Sequence, residues 1–417
     1  MLAQFAWRGF SFAYAFANLL VVIAIAAVRD GAFFKRPSKE EIRELHIGFP
    51  DSYLLWNRII QASSLDSHIL VAVDLPGYGG SEGLKNYGAN EVLESITEFL
   101  LGMRENYLKE GAKFVVVSHD WGAVIAARLA SEAPQLADRF IITSALIPEQ
   151  AYSNAMTKVA SAKQMLHTYL RQPLRISLLK NALSTLRPVS SQIKRSFYVF
   201  IFNLPYPIST IFPTFGNYWF LRLLHKAGIG RLKDKTYRKL TPKEGGEAMA
   251  SSIGPGSEQL AATNEYPAAL KTRLGSYGML EKTRIYREGL ILGTWEKSIE
   301  TVVALSEIQS TSPRGSSGSS AGLFDDGPPG ALKAPATIVY GDEDPAFEKT
   351  LGLDGLGDYL AQGSQVLILE KSGHWLPVEE VGGGVIEGVV AWGLDGEKEG
   401  LKERFERREG VTFRVLK

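Results

Sequence analysis

Hydrophobic and polar positions along the chain fall into three regimes. The first is a single long apolar run. Gly9 to Val28 carries no charged residue, with Arg8 on one side and Arg29-Asp30 on the other. As a helix these residues would extend roughly 30 Å, enough to cross a bilayer. A signal peptide or a buried helix are the competing readings. No small-x-small cleavage site precedes the basic segment, which favours the transmembrane helix. The second regime is an alternation of short apolar runs and longer segments with apolar residues at helical spacing. His68 to Leu75, Phe114 to Val117, Arg139 to Leu146, Ala336 to Tyr340 and Gln365 to Leu369 have the length and β-branched content of buried strands. Ser52 to Ala62, Asn90 to Leu108, Ala123 to Leu129 and Gly382 to Trp392 read as helices. Strands alternating with helices predict an α/β fold with a doubly wound, mostly parallel sheet.

The third regime interrupts the second. Residues 150–308 are helix-rich, with many aromatics between Phe197 and Phe220, and the strand-helix alternation resumes after them. That resumption favours a helical lid inserted into the core over a separate second domain. A Ser/Gly/Pro-rich linker then precedes the last strands. The expected organisation is a membrane anchor and juxtamembrane segment at 1–40, core at 41–149, lid at 150–308, linker at 309–333 and core again at 334–417.

Composition narrows the chemistry. The chain has 417 residues and a net charge of +1, so no charge signature points to nucleic acid. It has no Cys, which excludes disulfides, thiolate metal sites and a Cys nucleophile. Its six His are scattered without ligand spacing, and neither a metal nor a cofactor is expected. Past the apolar run lie Arg29, Lys35, Arg36 and Lys39, against Arg8 alone before it. This asymmetry would place a single-pass protein's catalytic domain in the cytosol.

The candidate chemistry begins where the Phe114 strand must become the Ala123 helix, at Ser118-His119-Asp120-Trp121-Gly122. Small-x-nucleophile-x-Gly at a strand-to-helix junction is the nucleophile-elbow pattern, with Asp120 at the centre. An ordinary turn capped by Asp is the plainer reading. The segment resembles the elbow of the α/β-hydrolase superfamily, in its epoxide hydrolase and haloalkane dehalogenase branch. An Asp suits attack on an sp³ carbon, because the resulting ester can be hydrolysed at its own carbonyl, whereas a Ser would leave a stable ether.

Further segments are similar to that family's motifs. Gly341-Asp342-Glu343-Asp344 resembles its acid turn, and Ser372-Gly373-His374-Trp375 its histidine turn. The resemblance implies Asp120 as nucleophile, His374 as water-activating base and Asp344 as its orienting acid, with Glu149 as a fallback acid. It implies an oxyanion hole from the backbone N–H groups of Phe49 and Trp121. Ser196 to Pro205 resembles the epoxide hydrolase lid segment and implies Tyr198 as a proton donor. Tyr286-Arg287 resembles the second lid tyrosine and the Arg that follows it.

Leu45 to Pro50 resembles the family's His-Gly-x-Pro turn with Ile47 inserted, and the two or three strands that normally precede it are not found. The chain is therefore expected to lack the first N-terminal strands. Glu44 to Ile47 is expected to form a short strand between those at His68 and Phe114. The implied activity is epoxide opening to a diol through an aspartyl ester, on a small apolar substrate. A haloalkane dehalogenase-like hydrolase and a catalytically impaired membrane-anchored relative are the alternatives.

Overall fold

The computed structural model describes residues 2–28, 52–79, 81–213, 215, 219–220, 279–308, 327–405 and 411–414. The parallel core follows from chain segments that are apolar on both faces. Strands β1 (Val115–His119), β2 (Arg139–Thr143), β3 (Ala336–Gly341) and β4 (Gln365–Leu369) lie side by side in that order, all parallel. A fifth strand, β5 (Val411–Arg414), closes the far edge antiparallel to β4. Successive side chains of a strand point to opposite faces, and β2 shows the consequence. Phe140 and Ile142 enter one core with Ala123, Ile125 and Ala126, whereas Ile141 enters a second core with Val385, Ile386 and Val389.

The helices follow in chain order. Helix α1 is Leu2–Val28, α2 Asn57–Ile60, α3 Ala89–Tyr107 and α4 Trp121–Glu132. Between β2 and β3 come α5 (Pro148–Arg171), α6 (Ile176–Arg195), α7 (Phe197–Phe202), α8 (Met279–Arg284) and α9 (Ile299–Glu307). After β3 come α10 (Lys349–Leu353), α11 (Glu380–Leu394) and α12 (Leu401–Phe405). With α4 on one face of the sheet and α11 on the other, the sheet is doubly wound. Helices α5 and α6 form a long antiparallel-topology pair joined by a short turn, with Pro148 at the start of α5, where a missing N–H costs nothing.

Three expectations are corrected. His68 to Leu75 forms no ladder, and Ile69 and Val71 are about half exposed (57% and 50%). A strand is defined by its neighbour, and among the described residues no strand forms a ladder with the outer edge of β1 or with this segment. The expected Glu44–Ile47 strand lies outside the described residues. Ser52 to Ala62 is not one amphipathic helix but a 3₁₀ turn at Tyr53–Trp56 followed by the single turn of α2. Residues 327–333 of the expected linker lie against the core, with Ala331 and Leu332 buried and Leu332 N–H bonded to Tyr359 O at 2.8 Å.

Helix α1 is not isolated. Ala15, Leu19, Val22 and Ala26 recur at spacings of four, three and four, which line one helix face. They are buried against Ile201, Phe202, Leu204, Phe212, Trp219 and Phe220. Trp7, Phe12, Phe16, Leu20 and Val21, on the remaining surface, are exposed. Residues Ala6–Ala27 of this helix are long and apolar enough to span a membrane.

Candidate active site

The carboxyl ends of β1, β3 and β4 each deliver one polar side chain to the same point. At the end of β1 the chain reverses into α4 through Asp120, whose backbone (φ 49°, ψ −116°) lies in a sparsely populated region for a non-glycine residue. Surrounding bonds hold this strain. Asp120 N–H donates to Thr143 O at 3.2 Å, and Asp120 O accepts from Ala123 and Val124 N–H at 3.0 and 3.1 Å. The turn lifts the carboxylate to the N-terminus of α4, where free N–H groups and the helix dipole favour negative charge.

His374 follows β4 and faces Asp120, with Nε2 3.3 Å from Asp120 Oδ1. Its Nδ1 lies 2.8 Å from Oδ2 of Asp344, which follows β3. Oδ1 of Asp344 is taken by the Ala346 N–H at 2.7 Å, so the acid cannot turn away. Glycine is required at 341 for this approach, because a Cβ there would meet the backbone of Ser372 and Gly373. His374 and Asp344 are both buried. Burial disfavours a charge on His374, but the Asp344 carboxylate and hydrogen bonds to Asp120 and Asp344 outweigh it. The imidazolium is held well above the usual histidine range.

That shift has a testable sign. A His whose folded pKa is raised stabilises the fold fully below its unfolded pKa of about 6.5, and the contribution is lost as pH rises through the folded value. The thermal midpoint of the parent should therefore decline with rising pH above neutrality more steeply than that of His374→Gln. Parallel pH profiles for the two proteins would contradict the raised pKa.

Close to the three side chains lie two phenols from the helical segment between β2 and β3. Tyr198 is carried by α7, and Tyr286 follows α8. Their ring centroids are 6.0 Å apart, and the Tyr286 ring meets that of Trp121 edge-on at 4.6 Å. Both hydroxyls are pushed well above the usual tyrosine range. Burial is the main cause for each; for Tyr198 the Asp120 charge is next, and for Tyr286 the neighbouring Tyr198 and then Asp120. They are thus neutral proton donors at any working pH.

Sequence reasoning did not assign a role to Arg287. Its guanidinium donates to Phe202 O and Leu204 O, both at 2.8 Å, and to Ser209 Oγ at 2.9 Å. It ties the residue beside Tyr286 to the C-terminal end of the helix that carries Tyr198. Arg287→Ala should cost about 2–3 kcal/mol of lid stability, since two acceptors lose charged donors. Calorimetry should show a lowered unfolding midpoint, and Arg287→Lys should restore only part of it.

Phe49 lies outside the described residues; Trp121 is buried at the first turn of α4. Glu149 is not brought to His374. It sits in the first turn of α5 against Gly330, and burial, partly offset by its own backbone N–H and by Arg128, raises its pKa. A cavity of about 740 Å³ reaches Asp120 from the open edge of β1, lined by Ile69, Val71, Val115 and Val117 among others. Tyr198 and Tyr286 do not line it.

Comparison with known proteins gives the following. A family model described as "Alpha/beta hydrolase family" matches residues 45–387. The chain is 32% identical to Epoxide hydrolase 3 of Mus musculus over 101 residues, which is 23% of this chain and 25% of that protein. It is 35% identical to Epoxide hydrolase B of Mycobacterium tuberculosis over 79 residues, 19% of this chain and 21% of that protein. The matched part thus spans about a quarter of the length of these curated relatives. Among solved structures, the Bacillus megaterium epoxide hydrolase in complex with an inhibitor aligns with a TM-score of 0.48 at 20% identity. That alignment covers 84% of this chain and 91% of the other.

Proposed function

We propose that this chain, which belongs to the α/β-hydrolase family, opens small apolar epoxides to diols through an ester on Asp120. The observation that carries the reading is the line Asp120, His374, Asp344 at 3.3 and 2.8 Å, with two neutral, part-buried phenols close enough to feel the Asp120 charge. In the first step an Asp120 oxygen attacks an epoxide carbon and the C–O bond of the ring breaks. A phenol of Tyr198 or Tyr286 gives its proton to the departing oxygen. In the second step His374 takes a proton from water, and the resulting hydroxide attacks the ester carbonyl. The Trp121 N–H at the start of α4 supports the oxyanion, with the Phe49 N–H as its partner by resemblance. Collapse of that intermediate releases the diol and regenerates the Asp120 carboxylate.

The electrostatics order these steps. In the free protein two carboxylates hold His374 protonated. Forming the ester removes the charge of Asp120, and with it part of what raises the His374 pKa. Burial then has less to oppose it; His374 gives its proton to the phenolate left by the first step, and the neutral imidazole acts as a base only once there is an ester to hydrolyse. A single turnover of a styrene-type epoxide in ¹⁸O-labelled water tests the scheme. The first diol should be unlabelled, with the heavy oxygen in the peptide bearing Asp120. Label in the first diol, or halide release from a chloroalkane with no epoxide opening, would contradict it.

The proposal extends to location. Helix α1 is the anchor of a single-pass protein, and the positive residues after it place the catalytic domain in the cytosol. The packing of α1 on the α7 region adds a cost to its removal. A chain lacking residues 1–28 should leave the membrane on carbonate extraction, but with the apolar faces of Ile201, Phe202 and Leu204 uncovered. Leu19→Ala in the full chain should lower stability by about 2–3 kcal/mol, against near zero for the exposed Leu20→Ala. Equal effects at the two positions would show that α1 does not pack on the lid.

A further inference from the structure

The backbone of the base, and not only its ring, is held by two side chains that the scheme above leaves unused. The carbonyl oxygen of His374 accepts a hydrogen bond from the Ser144 hydroxyl at 2.7 Å and one from His119 Nε2 at 2.8 Å. A carbonyl can only accept, so the proton of His119 sits on Nε2. His119 is the last residue of β1 and Ser144 immediately follows β2. Both are buried. The turn that carries His374 is thus fastened to the ends of two strands of which neither is its own.

Ser144 is unusual in a second respect. Its φ is +52°, a left-handed conformation that a non-glycine residue rarely adopts. Its N–H is taken by Val339 O at 3.1 Å, and the strained backbone aims the hydroxyl at the carbonyl. A glycine would fit this backbone without strain but would have no hydroxyl to offer. Strain kept at a position where glycine would relieve it implies a use for the side chain.

We propose that Ser144 and His119 are positioning residues for ester hydrolysis. Together they fix the peptide after His374, and so the height of its imidazole above Asp120. The ring itself can pivot about its bond to Asp344, and the remaining reach to Asp120 is 3.3 Å. A displacement of about 1 Å in a reacting group can lower a rate on the order of 100-fold. Alkylation of Asp120 needs only its carboxylate and a phenol, so the loss should fall on the second step. This inference rests on the ester reading and specifies which residues govern one half of it.

The test separates the two half-reactions by rapid quench and intact-mass measurement with a styrene-type epoxide. Ser144→Gly should unfold at the parental temperature or above, alkylate Asp120 within about twofold of the parental rate, and hydrolyse the ester about tenfold more slowly. His119→Phe should act in the same direction, and the pair of changes should approach a 100-fold loss with ester accumulating in the steady state. His119→Gln keeps an N–H donor and should recover most of the rate. Ester hydrolysis at the parental rate in Ser144→Gly, or equal slowing of both steps, overturns the proposal. Failure of His374→Gln to form any ester on Asp120 would overturn the underlying scheme along with it.

Discussion

Replacing Tyr198 and Tyr286 together with Phe should remove nearly all of the proposed epoxide opening, a loss of roughly 10³-fold against about tenfold for either change alone. An epoxide opened by a carboxylate expels an alkoxide, far more basic than either phenol, and proton transfer from a positioned phenol stabilises that charge as it develops. Burial and the nearby Asp120 charge keep both hydroxyls protonated. Because the rings lie 6.0 Å apart on one side of the site, one phenol can partly replace the other, which makes the single losses small and the double loss more than additive. Both side chains are packed among Phe202, Phe220 and Trp121, so Phe keeps the ring contacts and removes only the hydroxyl. Steady-state turnover of a styrene-type epoxide reads the effect. A double variant that retains more than a tenth of parental activity would contradict a donor role for these phenols.

Asp120→Asn has an equally large expected effect for a different reason. The amide is a poor nucleophile and carries no charge, so the first bond cannot form, and turnover should fall by roughly 10⁴-fold or more. The fold should tolerate the change well. Asn has the same shape as Asp and meets the same backbone at 120, and the hydrogen bonds that hold the elbow come from backbone groups. Loss of the carboxylate also removes one of the charges that hold His374 protonated, so the imidazole should titrate lower in the variant. An NMR titration of His374 showing no downward shift would mean that Asp120 does not control the base.

The parts of this molecule that were legible from its residues are those whose signal is local. Asp120, Asp344 and His374 each follow an apolar run closely, and a parallel sheet brings such positions to one edge. Strand pairing is not local. His68 to Leu75 has strand composition, yet a ladder needs a partner strand, and among the described residues the segment joins no ladder. β5 was missed for the converse reason, since Val411 to Arg414 follows a charged stretch and pairs only at the edge, through backbone groups.

Helix α1 hid its packing face because nearly every position in it is apolar, so the stripe Ala15, Leu19, Val22, Ala26 has no polar background to stand against. No role was legible for Ser144, His119 or Arg287, because they act largely on backbone carbonyls, which no side-chain pattern records. The lid tyrosines were placed by resemblance, and the structure brings them together through Arg287, which fastens the residue after Tyr286 to the end of α7.

The central claim is a covalent ester on Asp120, and His374→Gln addresses it most directly. Without the base, the first step should proceed and the second should stall. Mixed with a styrene-type epoxide, this variant should gain the mass of one substrate molecule, and peptide mapping should place the addition at Asp120. The adduct should be absent from Asp120→Asn/His374→Gln. An unmodified protein, or an adduct on a peptide without Asp120, would contradict the account.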